Sequence, residues 1–134
     1  MTEVKAYFIE ELPKLESESL TGIRLVDFEM LPMEATKEML SHAFRALVPE
    51  GVLEFPVLSF AWCVEYYLVG RGIDTFLSQI MFGTERKAIW DEGAVVRALF
   101  DAGFYRLWTG RVPEYPEWMF YAKAVKLNKA KLLS

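Results

Sequence analysis

Runs rich in β-branched and aromatic residues alternate along this chain with stretches whose apolar residues recur at helical spacing. That alternation restricts it to an α/β layer fold, because each amphipathic helix must bury its stripe against a sheet. Residues 4–9 (VKAYFI) and 23–28 (IRLVDF) are the first two strand candidates. Pro13, the polar run 16–19 and Gly22 separate them. Residues 34–47 predict the clearest helix, with Met39, Leu40, Ala43, Phe44 and Leu47 on one face and Pro49 and Gly51 ending it. Residues 52–55 predict a third strand, closed by Pro56.

Residues 59–69 read as a helix that is apolar nearly all round, ended by Gly70 and Gly72. Asp74 can cap a helix over 75–82, with Phe76, Leu77, Ile80 and Met81 on one face and Gly83 after it. A polar loop covers 84–89. Asp91 is a good N-cap for a helix through Ala102, striped by Ala94, Val95, Ala98, Leu99 and Ala102, with Gly103 as its C′ residue. Residues 104–109 predict the fourth strand, 110–116 (GRVPEYP) a proline-rich loop and 118–125 (WMFYAKAV) the last strand. A strand that follows its neighbour through a loop alone pairs antiparallel with it. The expected organisation is one domain over 1–126 and a basic tail over 127–134.

The 134 residues fit a single domain, and 53% hydrophobic with 25% charged residues is a globular composition. A net charge of -4 disfavours nucleic-acid binding over the surface as a whole. The single cysteine, Cys63, can form neither an internal disulfide nor a cysteine-based metal site, which fits a reducing compartment. Residues 1–11 hold no basic segment followed by an apolar one, so no signal peptide is expected. The longest apolar stretch, 55–69, contains Pro56 and Glu65 and falls short of the roughly 20 residues that cross a bilayer. The expectation is a soluble, cytoplasmic protein. Aromatic residues reach 15%: either they fill a small core with large rings, or some stand outside as anchors for a partner.

Chemistry is sparse. His42, the only histidine, lies inside the first helix with no cysteine or second histidine near it, so a partly exposed helix position is expected. Cys63 lies in an apolar helix, where thiols are inert core residues. No glycines form a phosphate-cradling motif. Glu10, Glu11, Asp27 and Glu29 fall near two strand ends, where open α/β sheets bind ligands but where solvated turns also occur. Lys123, Lys126, Lys129 and Lys131 make the C-terminus basic, as a solvated tail or as a contact for an acidic protein surface or RNA. No catalytic, cofactor-binding or metal-binding residue is assigned.

Residues 40–56 (LSHAFRALVPEGVLEFP) resemble the class I S-adenosylmethionine-dependent methyltransferases, in which a helix ending in leucine and a short Pro-Gly turn lead into a sheet strand. Leu47, Pro49, Gly51 and residues 52–56 fit that pattern. Residues 90–104 (WDEGAVVRALFDAGF) resemble the family's later helix, ending in Ala102, Gly103 and Phe104, and 118–126 resemble its last, antiparallel strand. Residues 9–13 (IEELP) resemble the Leu-Pro segment after the third strand, and 23–32 the fourth strand with its loop. The resemblance implies a truncated Rossmann-like sheet, mostly parallel with a C-terminal antiparallel strand, and helices packed on it. It covers the C-terminal part of that fold. The family's glycine-rich turn after the first strand and its ribose-binding acidic residue have no counterpart, so the cofactor-binding half is expected to be missing and no cofactor is expected.

Loss of two central strands would bare the edge of 4–9 or 23–28, to be covered by a partner chain, by self-association or by rearranged packing. The functional expectation is a non-catalytic methyltransferase-like protein that binds and regulates a protein partner, for instance a phage-type modulator of a host enzyme. The alternatives are a methyltransferase subunit whose cofactor-binding part is on another chain, and an RNA-binding accessory domain using the lysines and rings such as Tyr115 and Trp118. The candidate partner-binding residues are Trp108, Arg111, Tyr115 and Trp118 around the 110–116 loop, with Val4 and Phe8 at the N-terminal edge as the other face.

Overall fold

A computed structural model describes residues 3–71, 74–82 and 86–128. Gly72, Gly83, part of the 84–89 loop and the lysines at 129 and 131 lie outside the described residues. Five strands form one sheet: β1 (Lys5–Tyr7), β2 (Leu20–Leu25), β3 (Leu47–Leu58), β4 (Phe104–Gly110) and β5 (Met119–Lys126). Their spatial order is β1-β2-β3-β5-β4. β1, β2 and β3 run parallel, and β5 pairs antiparallel with both β3 and β4. The sheet is therefore mostly parallel with one reversed strand, the C-terminal one, as the resemblance implied. That strand sits between β3 and β4 rather than at an edge.

Among the described residues, four α-helices accompany the sheet: α1 (Met33–Ala46), α2 (Phe60–Tyr66), α3 (Thr75–Phe82) and α4 (Glu92–Asp101). The caps follow the sequence. Asp91 accepts from the Ala94 amide at 2.7 Å, Asp74 from the Leu77 amide at 2.9 Å and Ser59 from the Trp62 amide at 3.1 Å. Gly103 leaves α4 at φ 108, and a Cβ there would lie 2.8 Å from the Phe44 ring. The helix expected over 59–69 changes pitch at Tyr67, where a π-helical turn runs to Arg71.

Three strand boundaries differ from expectation. The strand expected over 4–9 is cut to Lys5–Tyr7 because the Ile9 amide donates to the Asp27 carboxylate at 2.7 Å and a 3-10 helix, Ile9–Lys14, follows. The second strand begins at Leu20 and ends at Leu25, earlier than read. Pro49, Gly51 and Pro56 do not delimit the third strand, since β3 runs through all of them. At its start β3 bulges. Leu20 and Gly22 are two apart on β2, whereas their partners Leu47 and Val52 are five apart, and Glu50 takes φ 69. Pro56 lies beyond the last β2 pair, Arg24 with Glu54, so its missing N–H leaves no vacancy in that ladder.

Residues two apart share a face of a strand. On one face Ile23, Leu25, Leu53, Phe55, Val57, Phe104, Phe120, Ala122 and Ala124 are buried beneath Leu40 and Ala43 of α1 and Val95, Ala98 and Leu99 of α4. Phe28 stacks on Phe55 at 3.9 Å and tilts against Trp90 at 5.0 Å. Among the described residues, helices cover the other face only at the end of β3, where Leu58, Cys63 and Leu77 centre a second, smaller core with Trp62, Tyr66 and Trp118. Lys126, the last residue of β5, is 7% exposed and donates to the Leu47 carbonyl at 2.7 Å.

Candidate functional site

The uncovered face carries a row of side chains that crosses four strands. Arg24 of β2 pairs with Glu54 of β3, Glu54 with Lys123 of β5, and Lys123 with Trp108 of β4. Glu54 is buried between two cations, with Arg24 Nη2 at 3.2 Å and Lys123 Nζ at 4.0 Å. The Lys123 ammonium lies 5.9 Å from the centre of the Trp108 ring. Beside the row, Tyr121 stacks on Tyr115 at 5.4 Å. Burial, and then the Glu54 charge, push the Tyr121 phenol up to about 12. Arg24, Glu54, Lys123 and Tyr121 form one wall of a cleft of about 550 Å³, and the 112–115 segment forms the other.

Trp108 reaches this face through a bulge. Tyr105 and Trp108 are three apart on β4 but oppose Val125 and Lys123, which are two apart on β5. Arg106 absorbs the extra residue at φ 51. With regular alternation, Tyr105 and Trp108 would point to opposite faces; the bulge puts them on the same one. Glu50 holds this geometry from across β5, accepting from the Tyr105 hydroxyl at 2.8 Å and lying 3.9 Å from Arg106. Gly110 makes room for the indole, since a Cβ there would lie 2.6 Å from it.

The other candidates fall elsewhere. Arg111 is exposed and pairs with Glu117 at 3.9 Å. Trp118 packs against Phe76 at 5.4 Å and Trp62 at 5.8 Å, within the second core. Tyr115 and Trp118 share a separate apolar cleft with Phe76 and Met119. Val4 is half-buried, 2.7 Å from where a Gly22 Cβ would stand, and Phe8 is 61% exposed. Both belong to the β1 edge, the opposite side of the sheet from Trp108. That edge has three strand residues and carries the exposed Lys5, so it offers little for another strand to pair with.

The strand-end carboxylates have structural partners. Asp27 holds the Ile9 amide, and burial raises its carboxyl above the usual range. Glu29 is buried, binds Arg86 at 2.9 Å and accepts from the Leu58 amide at 3.2 Å. Arg86 also donates to the Ile80 and Met81 carbonyls, fastening the end of α3 to the end of β2. Arg86 lies in the 84–89 segment, expected from sequence as a polar loop. Glu10 and Glu11 are exposed, and His42 is half-exposed on α1 as expected. Burial raises the Cys63 thiol.

The turn after β1 does not fit the methyltransferase cofactor. It contains no glycine between Phe8 and Lys14, and its amides are occupied: Phe8 donates to the Glu11 carboxylate at 2.8 Å, Ile9 to Asp27 and Glu11 to the Phe8 carbonyl. No cluster of metal-ligating side chains occurs among the described residues, and no described helix is long and apolar enough to cross a membrane.

No family model matches the chain, and no curated protein matches its sequence. Solved structures match in shape. A candidate exported protein of Bordetella parapertussis superposes with a TM-score of 0.65 at 18% identity, covering 87% of this chain and 42% of that one. A SAM-dependent methyltransferase of Archaeoglobus fulgidus gives 0.62 at 13% identity, covering 88% and 64%. A complex between the Haloferax volcanii Trm112 methyltransferase activator and a methyltransferase gives 0.60 at 14% identity, covering 91% and 60%. This chain spans less than two thirds of each. Neither the fold nor the comparisons support the expected phage-type origin. With the parallel strands, the inserted antiparallel strand and these superpositions together, the chain has the fold of the class I SAM-dependent methyltransferases over part of their length.

Proposed function

We propose that this chain is a non-catalytic, cytoplasmic methyltransferase-like protein that binds and regulates a protein partner through its uncovered sheet face. The observation that carries this reading is the row Arg24–Glu54–Lys123–Trp108. It presents alternating charges and a 45% exposed indole on the part of that sheet face away from α2 and α3. A ring beside desolvated charges is the composition of an interface anchor. Calorimetry of the chain with S-adenosylmethionine is expected to give no saturable heat, and tight binding would overturn the reading. Affinity capture from the native host with mass spectrometry is expected to retain a protein that Trp108→Ala and Tyr115→Ala each lose. Equal retention by both variants overturns this face as the site.

A second reading is favoured by the greater length of the matching structures and by the two-chain Haloferax complex. Here the chain is a methyltransferase subunit whose cofactor-binding part lies on another polypeptide. Its signature is co-purification with such a chain and methyl transfer by the mixture alone. The RNA reading loses ground, because Lys126 is buried and Lys123 is engaged by Glu54.

A further inference from the structure

The two walls of the cleft beside the 112–115 segment differ in chemistry. On the sheet side, Glu54 Oε1 accepts from Arg24 Nε at 3.3 Å and from Arg24 Nη2 at 3.2 Å, so this buried carboxylate is spent on one cation. Lys123 Nζ stands 4.0 Å from the other Glu54 oxygen, close enough to feel its charge and too far for a hydrogen bond. The ammonium donates to no described residue. Arg24 keeps N–H groups to spare after Glu54 and the Tyr121 hydroxyl beside it. Both cations reach solvent, with side chains 45% and 50% exposed. Two cations sharing one carboxylate leave a positive charge over on this wall. The facing wall is mostly apolar: Val112, Pro113 and the Tyr115 ring, which stacks on Tyr121. Its one charged residue is Glu114, and that is exposed.

We propose that this cleft receives a carboxylate of the partner protein, an aspartate or glutamate side chain carried next to an apolar residue. The proposal rests on the partner-binding reading for the source of that carboxylate. Charge complementarity selects the ligand. The spare N–H groups of Arg24 and Lys123 would lose their water when the cleft fills, and only an acceptor-bearing anion replaces it with charge-assisted bonds. A basic side chain would have to approach two cations to reach a carboxylate already spent on Arg24. The single surplus charge suits one carboxylate. It falls short of the run of phosphates that an RNA presents, and the chain's net charge of -4 repels such a polyanion. The apolar neighbour of the carboxylate lies along Val112, Pro113 and Tyr115, and the cleft's volume of about 550 Å³ holds both groups.

Titration of the full chain with hydrocinnamate, a carboxylate on a short apolar stem, tests this through backbone amide shifts in nuclear magnetic resonance. Saturable shifts at Glu54, Tyr115 and Lys123 are expected, with a dissociation constant of about 1 mM. The uncharged hydrocinnamide is expected to bind about tenfold more weakly, and Lys123→Gln to weaken hydrocinnamate by a similar factor while keeping the wild-type circular dichroism. Glu114→Gln removes the carboxylate facing the site and is expected to tighten binding. Equal binding of acid and amide overturns the proposal, as does a Lys123→Gln variant that binds as the wild type does. So does an oligouridylate that displaces hydrocinnamate at micromolar concentration, which would make this a phosphate site. Saturating hydrocinnamate is further expected to release a captured partner. A protein lost with Trp108→Ala that hydrocinnamate does not release overturns the carboxylate and leaves the partner reading standing. Failure of that reading looks different: hydrocinnamate saturates the cleft while Trp108→Ala and Tyr115→Ala retain the captured protein equally, which overturns a protein as the source.

Discussion

Tyr121 shows how much one position on the uncovered face is constrained. Its ring stacks on Tyr115, its hydroxyl shares surroundings with Arg24 and Glu54, and burial with the Glu54 charge lifts its phenol to about 12. The folded chain therefore holds this proton more tightly than the unfolded chain does, so stability falls as pH rises from about 10 through about 12. Near-UV absorbance titration is expected to show a late tyrosine step that Tyr121→Phe removes. A titration in which that variant leaves the late step intact contradicts the assignment. The importance of the position was not legible in the sequence, because period-two alternation places Tyr121 on a face without saying whether that face is covered. A hint was there: Arg24, Glu54 and Lys123 each stand as a charge between apolar neighbours in their strands.

At the scale of elements, the Glu29–Arg86 pair fastens α3 to the sheet. Removing one member of a buried pair strands the other, so Glu29→Gln is expected to cost about 3–5 kcal/mol, read as a lowered thermal midpoint. Burial raises the Glu29 carboxyl despite Arg86 beside it. Local chemistry made the helices legible: the Asp74 and Asp91 caps, Gly103 and the α1 stripe stand as read, except that Leu47, expected on that stripe, opens β3 instead. The strands were less so. Pro49, Gly51 and Pro56 punctuate most chains, but β3 carries them by bulging at one end and outlasting β2 at the other. The link from 29 to 86 spans too much sequence for any periodicity to register.

The molecule as a whole has two cores of unequal size. Among the described residues, the main one gathers twenty buried residues from the sheet, the 3-10 helix, the loops and the two helices over the covered face, and the second has Leu58, Cys63 and Leu77 at its centre. Hydrogen exchange is expected to open α2 and α3 at lower free energy than α1, α4 and the central strands, and uniform protection across both groups would contradict this division. The α/β class was readable from the alternation of segments, and the single reversed strand and the methyltransferase-like order from the family resemblance. The position of β5 inside the sheet was not, because nothing in a strand's own residues names its neighbours. Nor could parity alone place Trp108. The bulge at Arg106 makes the surface that this chain shows depend on a count rather than a composition. Gaining or losing one residue in β4 changes which side of the sheet the indole faces while leaving every side chain type in place. Two related chains with the same residues in this strand, differing only in length by one, would thus share a core and differ in what they can touch.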